Sequence, residues 1–235
     1  EDNKRYREFR RIAAGDLLRK QGQTLVCGKK IVRERIPGSP GGKDWLIIFD
    51  GYTETDPVMQ RGLDLFHEAG RLVILKKGLY NELDLFNTRD PLMVTTVPDI
   101  PQWDGSAGEG CTLVIPFQDP SNVGTVIRTA AGFGVMRCVV LREGAHPFHP
   151  RSVRTSSGAV FSMEFVKGPS IGELADAAFE GVRLVLKSPG LSPTDARIAP
   201  PLARFVERGL LVQGELELFA RALADLKADR GYAPR

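Results

Sequence analysis

The sequence contains little cysteine, little histidine and no long hydrophobic run. Its three cysteines are odd in number, far apart and without the spacing of metal ligands: Cys27, Cys111 and Cys138. This usage indicates reduced packing residues in a cytosolic protein. No run approaches the roughly 18 apolar residues that a membrane span needs, and no charged-then-apolar leader opens the sequence. We therefore expect a cytoplasmic protein with no membrane partner.

A zinc site is not expected either. Two of the three histidines, His146 and His149, lie on a proline-flanked segment with no cysteine nearby. Structural zinc sites need clustered cysteine and histidine ligands. We therefore predict no metal.

Positive charge is concentrated at the amino-terminal end. Residues 1–35 hold eleven Lys or Arg against five Asp or Glu, whereas the whole chain has a net charge of only +3. A basic segment on a near-neutral body favours a polyanionic partner, because each phosphate contact releases counterions. A solvated helix face followed by a basic strand explains the same charges, and charge alone does not decide between the two.

The first 99 residues predict a small α/β sandwich. Apolar residues at helical spacing predict a helix over Tyr6–Gln21, and the segment from Thr24 to Ile36 is strand-like. Further strands are expected at 45–49, 71–75 and 92–97, with a helix starting after Asp56-Pro57. A linker is predicted at 100–110, where proline and glycine interrupt every period.

A second α/β series follows and is predicted to form a domain over 111–235. Strands are expected at 111–117, 135–141, 182–186 and 210–212, with an extended segment at 158–166 and helices at 121–133, 170–179 and 215–227. Strands that alternate with helices predict a parallel sheet covered on both faces.

The junction between the strand 111–117 and the next helix is the candidate site. Ligands of open α/β sheets bind beyond the carboxyl ends of strands, where helix amino termini begin. Asp119 or Ser121 can cap this helix, and Gly124 permits the close approach of a backbone or a ligand. Arg128 would meet a phosphate with a fork of donors. A well-started helix with a surface arginine is the simpler alternative, and spacing alone slightly favours it.

Two ordered segments resemble the SpoU-type, or TrmH-like, RNA ribose 2′-O-methyltransferases of the SPOUT superfamily. The first is Asp119-Pro-Ser-Asn-Val-Gly-Thr-Val-Ile-Arg-Thr-Ala130, with the family's Asn-x-Gly-x-x-x-Arg-x-Ala core. The second is Pro150-Arg-Ser-Val-Arg-Thr-Ser-Ser-Gly-Ala-Val-Phe161, close to the family's Arg-x-Ser-x-Gly-Ala-Phe segment. The first 100 residues also resemble the L30e-like substrate-binding domain that such enzymes often carry. The implied fold is an L30e-like α/β sandwich followed by a SPOUT parallel-sheet domain with a carboxy-terminal trefoil knot.

The resemblance implies roles for individual residues. Arg128 would help deprotonate the ribose 2′-hydroxyl or position the neighbouring phosphate, and Asn122 would orient Arg128 or the ribose. A free guanidinium is a poor base, which favours positioning and electrostatics. Arg154, Ser156 and Ser157 would line the RNA-facing side of the cleft, although a capped turn entering a strand is an alternative explanation of these three. Within the basic segment, we predict an RNA-holding surface formed especially by Arg5, Arg7, Arg10, Arg11, Lys29 and Lys30.

The cofactor half of the family pattern is not intact. Related enzymes bind S-adenosylmethionine with a Gly-x-Glu-Gly-x-Gly motif and a later Ser-Leu-Asn motif, and this sequence has neither. The nearest candidate cofactor-binding residues are Leu211, Gly214 and Glu215. Either a loop-rich stretch is missing around Val212–Glu215, or the pocket is naturally altered, and a missing stretch is slightly favoured.

The resemblance implies a homodimeric enzyme that methylates a ribose 2′-hydroxyl in ribosomal or transfer RNA and uses S-adenosylmethionine. The alternative is an RNA-binding protein of the same fold that does not methylate. A phosphate-binding α/β enzyme outside RNA biology is disfavoured, because no usual glycine-rich phosphate loop is present.

Overall fold

The computed structural model describes residues 3–36, 42–106 and 112–176, and the following account concerns these ranges. Within them, no helix combines the length and the apolar character needed to cross a bilayer. The expected strands at 182–186 and 210–212, the helix at 215–227 and the trefoil knot all lie outside the described residues.

The amino-terminal half is built around a four-stranded mixed sheet in the order β1-β4-β2-β3. Only β2 and β3 pair in parallel; β4 runs antiparallel to both of its neighbours. The elements, in chain order, are α1 (Lys4–Ala13), α2 (Leu18–Gln21), β1 (Gln23–Val26), α3 (Lys29–Arg35), β2 (Trp45–Phe49), α4 (Pro57–Glu68), β3 (Leu72–Leu75), α5 (Lys77–Leu83) and β4 (Leu92–Thr96).

Alternate residues of the central strands face opposite layers, as the pleat requires. Ile47 packs with α1 and α5 on one face, whereas Leu46 and Ile48 pack with α3 and α4 on the other. Both faces are therefore covered, which explains why β2 reads as a continuous apolar run.

The carboxy-terminal half contains a parallel three-stranded sheet in the order β5-β6-β7. Its elements are β5 (Thr112–Ile115), α6 (Pro120–Gly132), β6 (Arg137–Val140), α7 (Pro150–Thr155), a 3-10 helix (Ala159–Ser162), β7 (Glu164–Lys167) and α8 (Ile171–Asp176). This arrangement confirms the expected α/β architecture with a parallel sheet.

One hydrophobic core runs through both halves. Ile31 and Val32 of α3 belong to the same buried cluster as Val123 of α6 and Phe148. The buried Thr24 hydroxyl also donates to the Phe148 carbonyl oxygen at 2.6 Å. The two halves are thus joined by desolvated contacts. The domain limits 1–99 and 111–235 stay a prediction.

Part of the predicted linker belongs to the second sheet. The Lys167 N–H donates to the Pro101 carbonyl oxygen at 2.7 Å, and the Trp103 N–H donates to the Lys167 carbonyl oxygen at 2.8 Å. Gln102 thereby forms a parallel bridge beside β7. These backbone bonds satisfy an otherwise open sheet edge.

Three local expectations are wrong. The helix predicted from Tyr6 to Gln21 is broken at Gly15, whose φ of 84° lies in the left-handed region. The strand-like segment from Thr24 to Ile36 ends at Val26, and α3 follows, because its apolar side chains form one helix face above charged residues. The extended segment expected over 158–166 contains a 3-10 helix before β7.

Candidate functional site

The candidate site begins where β5 ends and α6 starts. Asp119 is the N-cap of α6, and its carboxylate accepts hydrogen bonds from the N–H groups of Ser121 at 2.7 Å and Asn122 at 3.0 Å. Pro120 occupies the first helical turn, where its missing N–H costs nothing. The helix start predicted from Asp-Pro-Ser-Asn is confirmed, with Asp119 as the cap.

Asn122 and Arg128 both lie on the exposed side of α6. The buried side of this helix carries Val123, Ile127 and Ala130. Within the described part of the chain, the side chains of Asn122 and Arg128 have no hydrogen bond or ion pair. Their polar groups are therefore available to a ligand.

Gly124 is buried against α7 and not against an open cleft. A Cβ atom at this position would overlap Thr155 Oγ1 and the Ser152 carbonyl oxygen and would lie 2.9 Å from Ser152 Cα. Of the two roles expected for this glycine, the structure shows the close approach of a backbone. α6 and α7 can meet at this distance only without a side chain here.

Two side chains of α7 tie it to the first turn of α6, and the sequence reasoning missed both. The buried Ser152 hydroxyl donates to the Pro120 carbonyl oxygen at 2.7 Å. The Thr155 hydroxyl lies 3.1 Å from the Ser121 carbonyl oxygen. These bonds hold the second sequence segment against the first, so the two motifs form one unit. The three-residue spacing of Ser152 and Thr155 would place both side chains on one face of a helix, but α7 itself was not expected.

The three residues expected on the RNA-facing side occupy different environments. Ser156 is buried, and its hydroxyl donates to the Val153 carbonyl oxygen at 3.0 Å. Ser157 is half-buried in a left-handed turn at φ 54°. Arg154 is half-buried and reaches the amino-terminal half, where its guanidinium lies 6.0 Å from the Phe86 ring. Their contact with RNA stays a prediction, and Ser156 offers the least surface for it.

His149 holds α7 against the amino-terminal half. His149 is the N-cap of α7 and accepts from the Arg151 N–H at 3.2 Å. Its ring packs against Gly15, where an added Cβ would lie 2.8 Å from Nε2. Burial and the nearby Arg151 lower the pKa of His149, so the neutral ring is favoured. The ring thus joins the turn between α1 and α2 to α7.

His146 makes the protein less stable as the pH falls. Burial, with help from Arg19 and Lys167, lowers the pKa of His146 from 6.5 to about 4, and its Nδ1 accepts from the Phe148 N–H at 3.2 Å. As the pH falls, the unfolded chain therefore binds a proton on His146 before the folded chain does. The stability that the neutral ring contributes is fully present above pH 6.5 and is lost as the pH falls towards 4. We expect His146 to account for about 2 kcal/mol of the fall in unfolding free energy between pH 7 and pH 5.

Urea denaturation at both pH values measures that difference. His146→Gln should reduce the fall by that amount, whereas His67→Gln, at an exposed position of α4, should leave it as in the unmodified chain. An equal fall in all three proteins would contradict the assignment to His146.

Six cations were expected to hold RNA, and three of them are paired. Lys29 donates to the buried Glu54 carboxylate at 2.6 Å. Lys30 lies 3.9 Å from Glu34, and Arg10 lies 3.6 Å from Glu82. Arg7 and Arg11 are exposed and have no ion pair within the described residues, and the Arg5 guanidinium lies 3.9 Å from the centroid of the Trp45 ring. A role in RNA binding stays a prediction for all six, and pairing makes it least favourable for Lys29.

The Lys29–Glu54 pair is part of a structural cluster. Burial alone would raise the pKa of Glu54, but hydrogen bonds from Lys29, Tyr52 and the N–H groups of Asp56 and Thr55 hold it at about 2. The Glu54 carboxylate is only 1% exposed. A buried carboxylate with four donors is anchored in place. Lys29 therefore fixes the loop after β2.

The candidate cofactor-binding residues Leu211, Gly214 and Glu215 lie outside the described residues. The described part of the site therefore consists of the α6 face with Asn122 and Arg128, supported by α7.

Comparison with known proteins places this site in a known family. The model of the SpoU rRNA Methylase family matches residues 112–212. The match spans both motif segments and ends where the sequence departs from the cofactor pattern.

Similar proteins are known from sequence and from structure. The chain is 38% identical over 179 residues to "Ribosomal RNA small subunit methyltransferase G 2" of Syntrophobacter fumaroxidans, an alignment that covers 75% of this chain and 34% of that protein. The chain thus spans about a third of that relative's length.

Two solved structures share the fold. A crystal structure of an RNA 2′-O ribose methyltransferase aligns with a TM-score of 0.56 at 20% identity, covering 74% of this chain and 66% of that chain. The SpoU methyltransferase AviRb from Streptomyces viridochromogenes, solved with AdoMet, aligns with a TM-score of 0.54 at 22% identity, covering 74% and 65%. These likenesses show the fold, and residues 112–212, which contain both packed motif segments, match the SpoU rRNA Methylase family.

Proposed function

We propose that this chain methylates a ribose 2′-hydroxyl in ribosomal or transfer RNA with S-adenosylmethionine as methyl donor. The observation that carries the proposal is the exposure of Asn122 and Arg128 on α6, the helix that starts at the carboxyl edge of a parallel sheet. The match of residues 112–212 to an rRNA methylase family supports the reaction class. The solved relatives, one named for 2′-O ribose methylation and one bound to AdoMet, support the acceptor and the cofactor.

Methyl transfer requires the ribose 2′-oxygen to be aligned with the methyl group more than it requires a strong base. When bound, S-adenosylmethionine would supply an activated methyl group for the ribose 2′-oxygen, and Leu211, Gly214 and Glu215 are the candidate residues to hold it. Arg128 would hold the phosphate beside the reacting ribose with two parallel donors and would stabilise the negative charge that develops on the 2′-oxygen. Asn122, one and a half turns earlier on the same helix, would bind the ribose or orient the guanidinium.

The amino-terminal half would hold the RNA. Its mixed sheet between two helical layers supports an L30e-like substrate-binding domain, and its packing against α6 and α7 would bring a bound RNA towards Asn122 and Arg128. His149 and Thr24 connect the two halves through buried contacts.

A homodimer is part of the proposal. Phe133 is 85% exposed and Met136 63% exposed within the described part of the chain, both beyond the last turn of α6. Large apolar side chains at this level of exposure supply surface that a second copy can cover. Light scattering of the purified chain should give twice the mass of 25.8 kDa.

An RNA-binding protein that does not methylate is the second candidate. It is favoured by the end of the family match at residue 212 and by the absence of Gly-x-Glu-Gly-x-Gly and Ser-Leu-Asn. Calorimetric titration of the chain with S-adenosylmethionine separates the two. We expect saturable binding of one cofactor per chain; no detectable heat would remove the enzyme hypothesis and leave the RNA-binding one.

A further inference from the structure

A groove of about 960 Å³ lies at one end of the amino-terminal sheet, distant in sequence from both family motifs. It is formed where β1, β2 and β3 begin and β4 ends. Its lining includes Arg5, Arg19, Lys20, Lys43 and Arg71 as cations, and Glu8 and Asp99 as carboxylates. The groove is therefore strongly basic.

The cations of this groove differ from the paired basic residues of the same half. Arg10, Lys29, Lys30 and Arg33 each have an acidic partner within 4 Å. None of the five groove cations has one within the described residues. Like charges gathered without counterions repel one another, and a bound polyanion relieves that repulsion and releases its own counterions.

An aromatic ring lies among these charges. The Arg5 guanidinium lies 3.9 Å from the centroid of the Trp45 ring, and the Arg71 guanidinium lies 4.9 Å from it. The strand pairing explains the second contact, because Leu46 pairs with Leu72 and the preceding residues are therefore adjacent. Phe9 supports the indole at a centroid distance of 6.2 Å.

We propose that this groove binds single-stranded RNA, with a base stacked in the Trp45–Arg5–Arg71 cluster and the phosphates held by Arg19, Lys20 and Lys43. Stacking on aromatic and guanidinium planes is how proteins hold unpaired bases, because every base has a π-face. A base would replace one guanidinium on the Trp45 ring, or stack on that guanidinium, and neither change would disturb the protein core. The proposal deepens the proposed function, since it names the part of the RNA substrate that the amino-terminal half holds.

Fluorescence titration of the full chain tests the proposal without any cofactor. The chain has two tryptophans, so Trp103→Phe leaves Trp45 as the reporter. The probe is a 12-nucleotide single-stranded RNA, compared with the same sequence as a duplex and with inorganic polyphosphate. We expect saturable quenching by the single strand, and weaker binding of the other two.

Two double variants separate the groove from general positive charge. Arg5→Gln with Arg71→Gln should weaken single-strand binding at least tenfold, whereas Arg33→Gln with Arg61→Gln, which removes the same charge from exposed residues of α3 and α4 outside the groove, should change it less than about twofold. Trp45→Leu should weaken binding about 5- to 100-fold, and Trp45→Phe should restore most of it; because both variants lack the reporter, the anisotropy of the same RNA carrying a fluorescent label measures them. If Trp45→Leu does not fold, the arginine variants decide.

Equal weakening by both double variants, or no quenching of Trp45, would overturn the proposal. Equal affinity for polyphosphate and for the single strand would overturn the stacking of a base. The titration contains no S-adenosylmethionine, so a failure of methyl transfer leaves its result untouched. Conversely, the Arg5→Gln, Arg71→Gln protein could methylate RNA with an unchanged KM for RNA. That result would contradict RNA binding in the groove and would leave the proposed function standing.

Discussion

Replacing Arg128 with alanine is expected to lower methyl transfer to RNA by about 100-fold or more while leaving the melting temperature unchanged. Arg128 is exposed and makes no hydrogen bond or ion pair within the described residues, so its loss removes no packing. What is lost is a group that acts on the phosphate and on the charge that develops during transfer. Incorporation of labelled methyl groups into unmodified ribosomal and transfer RNA transcripts measures the effect.

Two further variants define how Arg128 acts. Arg128→Lys keeps the charge but not the planar fork, so activity well below that of the unmodified chain would indicate that bidentate positioning matters. Arg61→Ala, an exposed arginine of α4, removes the same charge elsewhere and should retain full activity. A fully active Arg128→Ala protein would show that Arg128 has no role in the reaction.

Replacing Gly124 with alanine is expected to destabilise the protein by about 3 kcal/mol or more. The added methyl group would overlap Thr155 Oγ1 and the Ser152 carbonyl oxygen, and backbone cannot move aside as a flexible side chain can. The helices must separate, which also breaks the bond between Ser152 and Pro120. Urea denaturation gives the change in unfolding free energy.

Gly132 provides the matched control on the same helix. Nothing lies within 4 Å of a Cβ atom built there, so Gly132→Ala should be neutral or stabilise the protein by up to about 1 kcal/mol. A Gly124→Ala protein as stable as the Gly132→Ala protein would show that α6 and α7 can move apart at little cost.

Local patterns in the sequence were sufficient to predict the start of α6 at the candidate site. Asp-Pro-Ser-Asn specified the start of α6, because a capping carboxylate and a proline in the first turn act through neighbouring atoms. The alternation of strands and helices after residue 111 likewise indicated a parallel sheet, since parallel strands need crossover helices. The same reasoning failed for α3, where branched apolar residues suit either a strand or a buried helix face.

The sequence by itself determined the α6 helix and its start, because these depend on spacing within a few residues, whereas the structure decided that Asp119 and not Ser121 is the cap. Only the tertiary structure decided which cations have an acidic partner. Lys29 is adjacent in sequence to other basic residues, yet its partner Glu54 lies 25 positions away. Arg5, Trp45 and Arg71 come together only through the packing of α1 on the sheet and the register of β2 with β3. Ion pairing and ring stacking act through space, so their outcome depends on contacts that no local pattern contains.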